Sequence, residues 1–343
     1  MTSRALHTTD YSSCGTPADH TGLGIPVFLK RIDIPDATIS DTERSCPSPE
    51  LLERETDDLL NRLNIGNLHG RNILVKPNLV KPGDPLSVTS PEMILALCKI
   101  LRDYGAQITV ADSPAFGTAR IVLKKLGILE MLDGMGIDLK PHSRPVPVRL
   151  PCGITAGVSE YALETDLIIN LPRLKAHCQM VLTCAMKNLF GTVSGFRKAW
   201  YHTKYGHDME LFCDMIIDLN EILPKTVTVL DAVVAMHVTG PAGGDPFPMG
   251  LLAGCADAIA IDRAACEIIG IGPEMVPLLR QAQKRHGPSA STDLTNLIFP
   301  LLKPSDFPEA RNFILPEELK PLTFSPLRLI HGRLRSLLKK IFQ

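Results

Sequence analysis

Apolar and polar positions alternate along this chain in blocks that read as strand and helix in turn. Val27 to Ile32 has the look of a first strand, and Pro47 to Leu63 that of a helix, with a proline at its start and leucines at 51, 52, 59, 60 and 63. Asn72 to Val75 is a short strand that ends at Lys76-Pro77-Asn78. Ser90-Pro91-Glu92 opens a helix through Leu101, with Ser90 as its expected N-cap. Gln107 to Ala111 is a strand ending at Asp112-Ser113-Pro114, and a helix follows from about Thr118 to Leu126. Leu167 to Ile169 and Thr226 to Leu230 are further strands, the second ending at Asp231. Asp257 caps a helix that stops before Gly270. Short, non-alternating strands rich in Val and Ile, interleaved with helices, predict an α/β fold with a mainly parallel sheet and helices on both faces.

The densest stretch runs from Asp166 to Asp208. After its apolar strand it presents Asn170, Arg173, Lys175 and His177 within eight positions. The spacing then predicts a helix with Val181, Leu182, Ala185, Met186, Leu189 and Phe190 on one half and Thr183, Cys184, Lys187 and Asn188 on the other. Beyond Gly191 comes a segment with the only tryptophan, Trp200, and with Tyr201, Tyr205, His202 and His207. It reads as a loop whose rings and cations close over a site.

A length of 343 residues, 45% hydrophobic and 21% charged, supports a sizeable buried core. Domain boundaries follow from the pattern: a polar tail over 1–25, an α/β domain over 26–270 and a Pro-rich, partly helical extension over 271–326. A basic amphipathic helix over 327–343 completes the chain. In that helix Leu327, Ile330, Leu334, Leu337, Leu338 and Ile341 form an apolar stripe flanked by Arg and Lys, suited to docking on its own domain or to contact with an anionic membrane or a partner. A net charge of −1 argues against a nucleic-acid partner. The sequence contains no apolar run long enough for a transmembrane span, which takes about 18 residues, and no apolar leader, so a cytoplasmic location is expected. Nine scattered cysteines with no C-x-x-C pair read as reduced, structural thiols.

In open parallel sheets ligands bind outside the carboxyl ends of the strands. Four strand ends here carry polar equipment: Lys76 and Asn78; Asp112 and Ser113; Asn170, Arg173, Lys175 and His177; Asp231 and then His237. Cations outnumber carboxylates, which favours a small anionic substrate such as a carboxylate or phosphate. Arg173, Lys76, Lys175 and Lys187 are the candidates for holding its charge, with Asn78, Ser113, Asn170, Asn188 and His237 for orienting it. His177 and Lys187 are the candidate catalytic residues, His177 because its ordinary pKa lies near the working pH. The loop Gly240 to Pro246, with Gly243 and Gly244, offers amides that suit an anion, although it lacks a phosphate-loop ending. Asp112 and Asp231 are candidate Mg²⁺ ligands. The histidines and cysteines lack the ligand spacing of a zinc site.

KPN at 76–78, DSP at 112–114, NLPRLKAH at 170–177, MKNLFG at 186–191, the Gly-Pro loop at 240–246 and DAIAID at 257–262 occur in order. Together they resemble the bacterial and archaeal family called domain of unknown function 362, over about 70 to 270. Many members of that family carry a ferredoxin-type module with two four-iron clusters, so the resemblance implies redox work on small molecules. This chain has no C-x-x-C-x-x-C run, so an iron–sulfur cluster of its own is not expected, and a redox reaction here needs a separate ferredoxin-like donor. Two other readings stand beside it: a Mg-assisted transferase or ligase acting on a carboxylate or phosphate, and a non-catalytic ligand-binding or scaffold protein.

Overall fold

The computed structural model describes residues 24–34, 47–140, 144–195, 197–286 and 296–319. Among these, nine strands form one mixed, mostly parallel sheet: β1 (Phe28–Arg31), β2 (Asn72–Pro77), β3 (Gln107–Val110), β4 (Asp138–Leu139), β5 (Leu167–Leu171), β6 (Arg173–His177), β7 (Val181–Thr183), β8 (Thr226–His237) and β9 (Asp245–Cys255). Their order across the sheet is β4-β3-β2-β5-β8-β9-β1. Past Pro172, β6 takes the place of β5 beside the second half of β8, and β7 lies outside it. Pairings among β2, β3, β4, β5, β6 and β8 are parallel, and those of β7, β9 and β1 are antiparallel. The expected α/β architecture is therefore present.

Ten helices accompany the sheet among the described residues: α1 (Pro49–Arg62), α2 (Pro91–Asp103), α3 (Ala119–Lys125), α4 (Leu129–Gly134), α5 (Glu160–Glu164), α6 (Ala185–Leu189), α7 (Arg197–Tyr205), α8 (Met209–Ile222), α9 (Ala258–Ile269) and α10 (Pro277–His286). The two-residue period of a strand sends successive side chains to opposite faces, and each face has its own core. Ile73, Val75, Ile108, Val110, Ile169 and Val229 pack with residues of α1 to α4. Leu74, Ile168 and Leu230 pack with residues of α6, α8, α9 and α10. Lys76, Asn170 and Thr228 continue that second alternation, so three polar side chains lie side by side on an otherwise apolar face. Each is almost completely buried.

Several helix ends follow from local chemistry. Ser48, Thr118 and Asp257 cap their helices by accepting from the amide three residues on. Gly270 ends α9 at φ +82°. Ser90 occupies the N-cap position of α2 but makes no capping bond; its amide instead donates to Asp231 Oδ2 at 2.9 Å.

Four expectations require correction. Arg173 to His177, expected as polar residues at the end of β5, form a fully buried strand of their own. The helix expected from Val181 is only Ala185–Leu189, because Val181 to Thr183 pair antiparallel with His177 to Lys175. The 196–208 segment is helical over Arg197–Tyr205 rather than a loop. Asp231 stands within β8 rather than at its end, for β8 runs on to His237. Ile25-Pro26 pairs in parallel with Leu297-Ile298, which ties the start of the described chain to the Pro-rich extension. The basic helix expected over 327–343 and all of the expected tail before Gly24 lie outside the described residues.

Candidate functional site

The polar row on the second face is where the chemistry gathers. The Lys76 amine, at the end of β2, stands 2.7 Å from Asp112 Oδ1 just beyond β3, and donates to Pro77 O at 2.8 Å and to Asn188 Oδ1 at 3.4 Å. Asp112 Oδ2 accepts from the Leu79 amide at 2.7 Å. Both groups of this ion pair are buried, so its value depends on these additional hydrogen bonds. Gly191 lies directly against it: a Cβ there would meet Asp112 Oδ1 at 2.3 Å and Lys76 Nζ at 2.6 Å. The glycine is thus required by close approach.

Asn188 fastens α6 over this row. Its amide nitrogen donates to Lys76 O at 3.0 Å and to Asn170 Oδ1 at 2.8 Å, while its oxygen accepts from Asn78 Nδ2 at 2.9 Å. Asn170 in turn donates to Ala185 O and Thr228 Oγ1. The start of the helix is held from the other side, where Asp262 of α9 accepts from the Ala185 amide at 2.6 Å. Burial raises the Asp262 carboxyl to about 7. Held at both ends, this five-residue helix presents Lys187 and Phe190 in one place.

Lys187 differs from every other lysine in the row. Among the described residues its amine has no hydrogen-bond or ion-pair partner; it stands over the Phe190 ring at 4.7 Å from the centroid. Phe190, His202 and Phe212 form a group of rings beneath it, with centroids 4.8 to 5.6 Å apart. Burial first, then the charges of Lys198 and Lys76, lower the Lys187 amine from 10.5 to about 7. Part of the side chain still reaches solvent, as does part of Lys198. Lys198 of α7 donates to Ser113 O, and Ser113 Oγ accepts from the Gly195 amide at 3.1 Å, so Ser113 anchors the start of α7 beside the cluster. Burial lowers Lys198 as well.

Lys175 is fully buried behind them and donates to Asn78 Oδ1 at 2.6 Å and Ser87 O at 2.7 Å. Burial and then the charge of Arg173 push its pKa well below the ordinary lysine value. His177 closes the turn between β6 and β7: its Nδ1 accepts from the amides of Gln179 and Met180 at 3.0 and 3.2 Å. Burial, Lys187 and Lys175 hold its pKa well down. A neutral ring that accepts at Nδ1 carries its proton on Nε2. His202 is neutral for the same reasons, and its Nδ1 faces Gln179 Oε1 at 3.2 Å. The other amide atom of Gln179, Nε2, is buried with no hydrogen-bond partner among the described residues.

Structure therefore brings Lys76, Asn78, Asp112, Ser113, Asn170, Lys175, His177, Lys187 and Asn188 into one neighbourhood. Five candidates make other contacts. The Arg173 guanidinium reaches main-chain oxygens only, donating to those of Val234, Pro85 and Val88 at 2.7, 3.2 and 3.0 Å. Asp231 accepts from the amides of Ser90 and Val233. His237 packs between Phe247 and Phe313. In the Gly-Pro loop the Gly243 amide donates to Asp84 Oδ2 at 3.0 Å, and Gly244 is crowded by Thr239 O. Asp112 and Asp231 thus each have protein partners, and the described residues contain no group of three or more His, Cys, Asp or Glu able to hold a metal ion. Burial raises the thiols of Cys98, Cys152, Cys213, Cys255 and Cys266 to about 12 and Cys184 well above its ordinary value, which suits structural roles. A cavity of about 350 Å³ lies elsewhere, lined by Asn61, Asn64, Asn67 and Tyr104 near the amino end of β2.

Lys198, His202, Gln179 and Gly191 complete the neighbourhood and were not singled out as ligands from the sequence. Lys198 and His202 are four residues apart on α7, a spacing that places them on one helix face. Reading 196–208 as a loop concealed it.

Among known proteins, the thylakoid-associated protein sll1697 of Synechocystis sp. is 34% identical over 277 residues, covering 77% of this chain and 82% of that protein. Two solved structures are similar to part of this chain. The lactate racemase apoprotein from Thermoanaerobacterium thermosaccharolyticum is 14% identical with a TM-score of 0.42, over 62% of this chain and 54% of that one. A protein from Thermotoga maritima is 11% identical with a TM-score of 0.41, over 62% and 56%. This chain matches little more than half the length of either structure. No helix among the described residues is long and apolar enough to cross a membrane. The family described as domain of unknown function (DUF362) matches residues 73–267, more than half of the chain, and the chain belongs to it.

Proposed function

We propose that this chain is an enzyme that binds a small anion, a carboxylate or a phosphate, against Lys187 and Lys198 and moves a proton at Lys187. The observation that carries this reading is the charge imbalance: Lys76, Lys175, Lys187 and Lys198 gather about Asp112, which is already paired with Lys76. Enclosed cations lose hydration and repel one another, and a bound anion relieves both. Lys76 and Lys175 are fully buried and act from behind, whereas Lys187 and Lys198 can touch the ligand.

In this reading His177 donates a hydrogen bond from Nε2 rather than transferring a proton, since its Nδ1 is occupied by two amides. Gln179 Nε2, buried without a partner, is a further donor for the anion. Asn78, Asn170 and Asn188 position α6, and Arg173 clasps the strand ends. A group whose pKa lies near 7 can both accept and return a proton at neutral pH, which favours catalysis over a scaffold. Neither a metal nor a ferredoxin-like donor forms part of this reading.

The test is isothermal titration of phosphate and of a small carboxylate into the full chain at low salt, with Lys198→Met beside it. Saturable binding that the substitution weakens at least tenfold supports the reading. No heat from any simple anion would remove its basis.

The name of the Synechocystis relative supports a second element, peripheral contact with a membrane surface. The basic helix expected over 327–343 is the segment proposed to make it. Co-sedimentation with vesicles containing anionic lipid, lost on truncation after Pro326, is the expected result; equal sedimentation of the truncated chain would exclude that segment.

A further inference from the structure

We infer that Lys187 is a nucleophile that forms an imine with a carbonyl-bearing anion, a small 2-oxo or aldehyde carboxylate. The choice of an acid rests on the anion site proposed above; the nucleophile itself rests on the surroundings of one amine.

An amine attacks a carbonyl carbon only through its free lone pair, so the group must be uncharged and unshielded by acceptors. Lys187 meets both requirements by geometry. Its Nζ has no carboxylate or carbonyl partner among the described residues, whereas Lys76, Lys175 and Lys198 each donate to oxygen atoms. Its neighbour is the face of Phe190, and the nearest charges acting on it include two other lysines, Lys198 and Lys76. Burial and like charge both disfavour the ammonium form. The residue is only partly buried. The five-residue helix that carries it is held at the Ala185 amide by Asp262 and through Asn188 by Asn170 and Lys76, so the amine is presented from a fixed base.

The step balances without an oxidant or reductant. The Lys187 nitrogen lone pair forms a C–N bond to the carbonyl carbon, and the C=O π electrons move to oxygen, which takes up a proton as the nitrogen gives one up. The carbinolamine then loses its hydroxyl group with a proton as water, and the nitrogen loses its own proton to leave the imine. Lys198 is placed to hold the carboxylate, and the Nε2–H of His177 to steady the carbonyl oxygen before water departs. Protonated, the imine draws electrons from the adjacent carbon, which opens proton abstraction or carbon–carbon cleavage next to the original carbonyl.

The experiment uses the full chain at neutral pH, incubated with pyruvate or with uncharged acetaldehyde in the presence of cyanoborohydride, which reduces imines to stable adducts. Digestion and mass spectrometry then locate them. Both probes are expected to label Lys187 at least tenfold faster than the exposed lysines, with pyruvate the faster of the two. Lys187→Arg should lose that adduct while the slow surface labelling continues. Labelling spread evenly over surface lysines, equal in Lys187→Arg, would overturn the proposal. Fast labelling of Lys187 by acetaldehyde without any advantage for pyruvate would uphold the nucleophile and count against the anion site alone. Binding of phosphate by calorimetry with no Lys187 adduct would do the reverse.

Discussion

Replacing Lys187 with Met keeps the length of the side chain and its contact with Phe190 but removes the amine. The fall from 10.5 to about 7 corresponds to about 5 kcal/mol against the protonated form, at about 1.4 kcal/mol per tenfold change. Part of the side chain is in water, which screens roughly half of this, leaving about 2–3 kcal/mol. The sign follows from proton binding. Between the folded value near 7 and the unfolded value of 10.5 the unfolded chain binds more protons at Lys187, so this residue makes stability rise with pH through that window. Below pH 7 the folded chain carries the full cost. Met carries none at any pH. Urea denaturation followed by circular dichroism should therefore show Lys187→Met more stable than the parent by about 2–3 kcal/mol at pH 6, with the gap closing as pH approaches 10.5. Lys76, Lys175 and Lys198 titrate in both proteins and largely cancel in the difference. A gap that does not change with pH, or a less stable variant at pH 6, would refute the claim that folding strips water from this amine.

Further outcomes follow from the same geometry. Gly191→Ala forces a methyl into the Lys76–Asp112 pair and should cost about 3–5 kcal/mol in urea denaturation, the range for breaking a buried ion pair; a loss below about 1 kcal/mol would mean that the pair moves aside. Asp262 has its folded value raised from 3.8 to about 7, so the folded chain binds more protons and the residue makes stability fall as pH rises between those values. Asp262→Asn should flatten that part of the profile, and an unchanged slope would count against a buried, proton-holding carboxyl. Binding of phosphate near an amine that is half-protonated at neutral pH should take up protons and weaken above pH 7, seen as binding heats that depend on the ionisation enthalpy of the buffer. Treatment with EDTA should leave that affinity unchanged, because the reading gives metal no part.

The α/β alternation was legible because β2, β3 and β5 carry apolar residues on both faces, and because Ser48, Thr118, Asp257 and Gly270 mark helix ends by local chemistry. Lys76, Asn78, Asp112 and Asn170 were legible as a group because the carboxyl ends of adjacent parallel strands must lie side by side. The failures came where tertiary packing overrode local pattern. Val181 to Thr183 have helical spacing but pair with β6, with Val181 held at φ +65° in the turn that His177 closes. No feature of Arg173 in the sequence indicates that main-chain oxygens already satisfy it. Nor does spacing reveal which lysine of four lacks a partner; Lys187 differs from Lys76 by the position of one carboxylate, and only the fold places Asp112.

The most direct measurement is the rate at which an amine-reactive acetylating reagent modifies Lys187 as a function of pH, followed by peptide mass spectrometry with and without phosphate. The account predicts a midpoint near pH 7 and slower modification when phosphate is bound. A midpoint near the ordinary lysine value, unmoved by phosphate, would contradict it.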